Sequence, residues 1–266
     1  MPLIWQSESV ASPGSSALIV ARLRAAGCVF AEDEARLIRA AARTTGEADA
    51  MVERRAAGEP LEYILGWAEF CGLRVAVEPG VFVPRRRTGL LVREGVKRCG
   101  PGSTVVDLCC GSGAVGMAVA AAHPEARLYA ADIDPVAVRC ARRNLGADRV
   151  FEGDLFDALP PDIKGTVHLL VVNAPYVPTS AIDTMPREAR LHETRTALDG
   201  GADGLEVHRR VAEGAPDWLA AGGLLLIETS RAQAPGTAAI LDRAGFAARV
   251  VTSAALGATV AIGTVR

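Results

Sequence analysis

The sequence predicts an α/β protein, a mostly parallel sheet with helices on both faces, preceded by a small helical module. Three observations carry this. From Ser103 onward, short apolar runs alternate with helical stretches and glycine turns, the rhythm of repeated strand–helix units. The run Val167-His168-Leu169-Leu170-Val171-Val172 stops at Asn173-Ala174-Pro175-Tyr176, as a buried parallel strand leaving its sheet does. Gly111, Gly113 and Gly116 have the GxGxxG spacing between a strand and a helix.

The elements follow in order. Ser16 to Ala57 reads as helices. Ala17-Leu18-Val20-Ala21-Leu23 begins the first, closed by Gly27. Ala31-Glu32-Asp33-Glu34 opens the second with acids in its first turn. A third runs roughly from Glu47 to Ala57, stopped by Gly58 and Pro60. Tyr63 to Trp67 and Phe70 to Val77 then look like a β-hairpin linker, and a short helix ends near Lys97. Thr104–Asp107 and Arg127–Asp132 are strands around a small-residue helix, Ala114–Ala122. Pro135 starts the next helix, closed by Gly146. Val150-Phe151 is a short strand. Trp218 to Ala221 reads as a helix end, Leu224–Glu228 as a strand and Ala238–Ala244 as a helix. Ala247–Val251 and Thr259–Ile262 suit an antiparallel edge. The domains expected are a helical one over 1–60, a hairpin linker over 61–80 and the α/β domain over 81–266.

Composition narrows the function classes. The chain has 266 residues, half of them hydrophobic, and a net charge of -2, which gives no global case for a nucleic-acid or membrane partner. No apolar run approaches the roughly 18–20 residues that span a bilayer. Met1 to Ser16 lacks a basic stretch followed by an apolar core, so no secretion signal is expected. The six cysteines include no CxxC pair, and the four histidines show no metal spacing. The expectation is a reduced, cytoplasmic protein without a metal.

The glycine loop, Asp107-Leu108-Cys109-Cys110-Gly111-Ser112-Gly113, lets backbone approach a ligand and presents free N–H groups at a helix start. Asp132, about 20 residues on, can bind ribose hydroxyls, with Ile133 beside it. This fits a nicotinamide dinucleotide or S-adenosylmethionine. An acid at Asp107 suits the methionine portion of the latter. Its lack of phosphate also tolerates Cys109 at the usual first glycine. Asp154, before Leu155, would border the adenine or form a turn with Asp157.

Asn173 to Tyr176 stands where ligands bind in open α/β sheets, at a strand's carboxyl end. Methyl transfer to nitrogen is an in-line displacement, and positioning supplies much of its rate. An amide nitrogen is a poor nucleophile whose two hydrogens need acceptors. The Asn173 side-chain carbonyl and the Ala174 backbone carbonyl are candidates. Pro175 holds the turn in extended geometry, and Tyr176 can stack on the planar group.

This stretch resembles the (Asn/Asp/Ser)-Pro-Pro-(Tyr/Phe/Trp) signature of amino-methyltransferases, with Ala174 at the first proline. The whole chain resembles the HemK/PrmC family of protein-(glutamine-N5) methyltransferases. The likeness extends to Gly58-Glu59-Pro60-Leu61-Glu62-Tyr63-Ile64-Leu65-Gly66, to Val81-Phe82-Val83-Pro84-Arg85 and to the run from Glu193 to Leu205. The resemblance implies a Rossmann-like, seven-stranded class I fold, S-adenosylmethionine as donor and S-adenosylhomocysteine as product. It also implies the Gly-Gly-Gln glutamine of a peptide chain release factor as acceptor, with the helical domain helping to bind that factor. By the same resemblance the cofactor would meet Asp107, Cys109, Cys110, Gly111, Ser112, Gly113, Asp132, Ile133, Asp154, Leu155 and Asn173. Phe82 and Arg85 would join Asn173 and Tyr176 at the acceptor. The family's Pro-Arg-Pro-Glu-Thr-Glu reads Pro84-Arg85-Arg86-Arg87-Thr88-Gly89 here, with two glutamates lost and two arginines gained. Alternative readings are a paralogue acting on another amide or amine, a non-catalytic module that binds cofactor or ribosome, and a nicotinamide oxidoreductase, which leaves Asn173–Tyr176 unexplained.

Overall fold

The computed structural model describes residues 16–265 in two compact units that divide between Gly66 and Trp67. The start of the chain, read above as lacking a secretion signal, lies outside the described residues up to position 15.

The first unit is helical: α1 (Ser16–Ala25), α2 (Ala31–Ala41), α3 (Thr45–Ala56) and the short α4 (Leu61–Leu65). Ile19, Leu23, Ala35, Ile38, Val52 and Leu61 share one apolar core. Thr44 caps α3, its hydroxyl accepting from the Glu47 N–H at 3.1 Å. Arg55 clasps the Glu34 carboxylate through two bonds of 2.7 and 3.1 Å, joining α3 to α2. Tyr63 to Leu65, expected in the hairpin, is helical instead. Leu61, Tyr63 and Ile64 are all buried within a single turn, and Gly66 ends it in the left-handed region at φ 77°.

The second unit begins with the hairpin β1 (Trp67–Phe70) and β2 (Leu73–Ala76). The chain continues through α5 (Gly89–Val96), β3 (Thr104–Leu108), α6 (Ala114–Ala122), β4 (Arg127–Asp132), α7 (Pro135–Leu145), β5 (Val150–Glu152) and β6 (Val167–Val172). It ends with α8 (Arg187–His192), α9 (Glu206–Trp218), β7 (Leu219–Thr229), α10 (Ala234–Arg243), β8 (Phe246–Ser253) and β9 (Ala258–Val265). A seven-stranded sheet has the order β5-β4-β3-β6-β7-β9-β8. It is parallel through β7, and β9 and β8 add antiparallel. Alternate residues of the central strands divide between two faces. Val106, Leu108, Leu170, Val172 and Ile227 meet Val211 and Ala215 of α9 and Leu241 of α10. Val105, Leu169, Val171 and Leu226 meet Leu91 of α5 and Val119 of α6. The fold is the Rossmann-like arrangement the alternation predicts.

One boundary moves. Leu219 to Ala221, expected to end a helix, opens β7. Leu219 pairs with Val167, and Gly222 in the left-handed region, followed by Gly223, breaks any helix before the strand's buried stretch. No helix among the described residues is long and apolar enough to cross a membrane.

Candidate active site

The strand order reverses between β3 and β6, whose last residues Leu108 and Val172 are register partners. A crevice opens outside strand ends at such a point. The chain leaves β3 into the glycine loop and leaves β6 into Asn173, so the two sequence motifs are neighbours because of the topology. A cavity of about 630 Å³ lies there. Its lining includes every candidate site residue except Gly113 and Arg85.

Backbone geometry builds one end of the cavity. Cys109, Gly111 and Gly113 have φ of 55°, 55° and 76°. Such a value costs a non-glycine residue roughly 1 kcal/mol, so Cys109 holds a glycine-like conformation at a price. Gly113 is needed twice over, since an added Cβ would come within 2.7 Å of the Leu145 side chain. The Gly111 N–H donates to Asp132 Oδ2 at 2.8 Å, and the Asp134 N–H to Oδ1 at 3.0 Å. These two bonds fix the carboxylate across the loop and leave its remaining lone pairs for a ligand. Burial nonetheless holds the Asp132 carboxyl above its usual range. Asp107 is 1 % exposed and accepts from the Gly116 N–H at 2.8 Å. Burial pushes its carboxyl up to about 7; the Gly116 bond opposes this and the Asp132 charge adds to it. Burial also raises the Cys109 and Cys110 thiols, which remain neutral. Ile133 stands exposed on the rim. Asp154 lines the cavity, with Oδ2 accepting from Arg210 Nη2 at 2.7 Å, and Leu155 follows at φ 50°.

Side chains from distant segments build the other end. Ala174 is 2 % exposed, and among the described residues the Asn173 side-chain amide has no hydrogen-bond partner. Tyr176 donates its hydroxyl to Glu228 Oε1 at 3.3 Å, and its backbone carbonyl accepts from Gln233 Nε2 at 2.9 Å. Burial, with the Glu228 charge adding, pushes the phenol up to about 12, so it stays protonated. Beyond it, Val177 donates to the Leu198 carbonyl and accepts from the Gly200 N–H at 3.0 and 2.8 Å. Added Cβ atoms would meet Tyr176 Cα at 2.8 Å from Gly200 and the Tyr176 carbonyl at 2.4 Å from Gly204. The bare backbone of this glycine loop is what lets it lie against the Asn173–Tyr176 segment.

Arg85, expected at the acceptor, has partners of its own. It pairs with Glu193, which also accepts from the Val83 N–H at 3.3 Å, and its guanidinium lies 5.1 Å over the Phe82 ring. This pair ties the 80–85 segment to the loop before Leu198, while Phe82 itself lines the cavity. Sequence reading missed Glu193 and Glu228 as neighbours of the cleft; the basic run Arg85–Arg87 was open to either an anionic ligand or a solvated turn. Glu228 carried a signal: an acid ending an apolar strand at its carboxyl end, as Asp107 and Asp132 do. Arg87 Nε lies 3.4 Å from Glu228 Oε1.

Comparison with known proteins agrees with this fold. Residues 72–203 match the methyltransferase small domain family. Over 202 residues the chain is 39 % identical to the release factor glutamine methyltransferase of Geobacter sulfurreducens, covering 74 % of this chain and 69 % of that one. It is 38 % identical to the 4-amino-L-phenylalanine/4-methylamino-L-phenylalanine methyltransferase of Streptomyces pristinaespiralis, covering 73 % and 69 %. A solved methyltransferase of Pyrococcus furiosus superposes with a TM-score of 0.54 at 17 % identity, covering 73 % and 89 %, and shares the fold.

Proposed function

Because the chain belongs to the release factor glutamine methyltransferase family, we propose that it methylates the side-chain amide nitrogen of a release-factor glutamine. The methyl donor is S-adenosylmethionine, which when bound supplies an electrophilic methyl group on a sulfonium sulfur. The glycine loop suits that group: an added Cβ at Gly111 would meet nothing within 4 Å, so the loop backbone faces open space. Asp132 would accept from the ribose hydroxyls with lone pairs its two backbone bonds leave free. Asp107 would face the methionine portion, Cys109 to Gly113 would follow the cofactor as backbone, and Ile133, Asp154 and Leu155 would border the adenine.

The observation that carries the reading is the open Asn173 amide, set by β6 beside the glycine loop. Asn173 Oδ1 and the Ala174 carbonyl would each accept one N–H of the incoming amide. Held so, the nitrogen is fixed in position and the Tyr176 ring covers the amide plane. Positioning of this kind supplies much of the rate of a displacement. The amide proton leaves after transfer, so no strong base is required. The helical unit would contribute to recognition of the release factor, in keeping with a cytoplasmic enzyme.

The test is transfer of labelled methyl from S-adenosylmethionine to a purified release factor, with the modified residue identified by mass spectrometry. Label on the glutamine amide is expected. Label elsewhere, or none with the cofactor bound, overturns the reading.

A further inference from the structure

Beyond Tyr176 a second cavity of about 700 Å³ opens, and Arg87 and Tyr176 line both it and the first. Its wall carries Arg87, Arg231, Ser230, Thr252 and Ser253, and Glu228 is its one acid among the described residues. Arg231 is exposed and makes no ion pair among them.

Arg87 differs from the other cations around the cleft. Arg210 has Asp154 at 2.7 Å, Arg195 has Asp199 at 3.2 Å, and Arg85 has Glu193. Arg87 shares Glu228 Oε1 with the Tyr176 hydroxyl, at 3.4 Å, and also interacts with that hydroxyl, while its side chain stays 46 % exposed. A guanidinium has five N–H donors, so most of its donor capacity is left for a ligand. Burial raises the Glu228 carboxyl toward its neutral form, against the opposing pull of the Thr88 hydroxyl and of Arg87 itself. The Thr88 hydroxyl makes no bond of good geometry, and Glu228 Oε2 has no partner.

The placement has a chemical consequence. A nitrogen gains positive charge as it is methylated, and a cation beside it opposes that step. The opposition disappears when the acceptor itself carries an anion to the cation. A planar guanidinium binds a carboxylate with two parallel bonds.

We propose that Arg87 is a specificity-determining residue that binds a carboxylate on the methyl acceptor. The cleft then takes small carboxylate-bearing primary amides and aryl amines as well as a protein glutamine. Their nitrogen lies at Asn173 and their carboxylate lies on the Arg87 side of Tyr176, toward the second cavity. The inference rests on the reading of Asn173 and Ala174 as the nitrogen site.

The test compares matched pairs of acceptors with labelled S-adenosylmethionine and the full chain: N-acetyl-L-glutamine against its neutral methyl ester, and aminobenzoate against its neutral methyl ester. For at least one pair, kcat/KM for the acid is expected to exceed that for the neutral partner by about tenfold, chiefly through KM. Arg87→Gln should bring this ratio close to one, and Arg87→Lys should keep part of it. The ratio is taken within one protein, so a general loss of activity or stability does not move it. Where Arg87→Gln does not fold, the reduced ratio of Arg87→Lys carries the test. No preference for either acid, or a preference unchanged in the variants, overturns the role of Arg87. A release factor assayed in parallel separates the two claims: methylation of the factor with no acid preference sinks Arg87 alone, whereas cofactor binding without transfer to any acceptor sinks the nitrogen site as well.

Discussion

The two ends of the cleft are built differently. The end proposed for the cofactor is local: the glycine loop, its helix and Asp132 lie within one strand–helix–strand unit, and backbone bonds such as Gly111 N–H to Asp132 hold it. The end proposed for the acceptor is assembled from segments far apart in the chain. Arg85 reaches Glu193 across 108 positions and Arg87 reaches Glu228 across 141. The first can be read from a short motif. The second exists only once the sheet has formed.

Five changes probe that contrast, the largest effect first. Asn173→Ala should reduce methyl transfer about 100-fold or more while cofactor affinity, measured by calorimetry, stays within about threefold. Equal loss of both would erase the division into two ends. Asp132→Asn should do the reverse, weakening cofactor binding by about 10- to 100-fold, the worth of a charge-assisted bond. Gly204→Ala, whose new Cβ would press on the Tyr176 carbonyl and the Gln233 amide, should cost about 1–3 kcal/mol in denaturant unfolding and lower kcat. An unchanged midpoint would mean that the glycine loop is not the support described.

The fourth change uses pH. Asp107 rises from its ordinary 3.8 to about 7 on burial, so the folded protein binds this proton more tightly than the unfolded chain. The contribution of this group to stability therefore falls as pH rises from about 4 to about 7 and is level above that. Asp107→Asn should remove that slope and raise the melting temperature at pH 8. The wild-type affinity for the cationic cofactor should increase as pH passes through about 7, and the variant should lose this dependence. Smallest of all, Arg86→Ala should alter stability by no more than about 0.5 kcal/mol, since Arg86 is exposed and unpaired among the described residues. A large effect there would mean that the basic turn contributes more than Arg87.

Legibility followed the range of the interactions. Ala114–Ala122 and Arg127–Asp132 were readable to the residue, because glycine and proline mark their ends and apolar runs fill them. Tyr63–Leu65 was misread as strand because a five-residue helix has too few positions to show a period. Leu219–Ala221 was misread because the pairing of Leu219 with Val167 is a long-range choice. Arg85 sat in a recognisable segment, yet its partner Glu193 could not be inferred from spacing.

By itself the sequence determined the α/β class, the glycine loop with its acid, and an amide-bearing turn at the end of a buried strand. Each is a local pattern of backbone freedom, periodicity or residue chemistry. Tertiary structure decided that β3 and β6 are neighbours, which puts the turn beside the loop. It also decided which carboxylate answers which arginine: Glu193 is committed to Arg85, while Glu228 is divided between Arg87 and Tyr176. The physical reason is that a charge in a loop is settled by what burial brings within about 3 Å of it, and no sequence spacing fixes that distance.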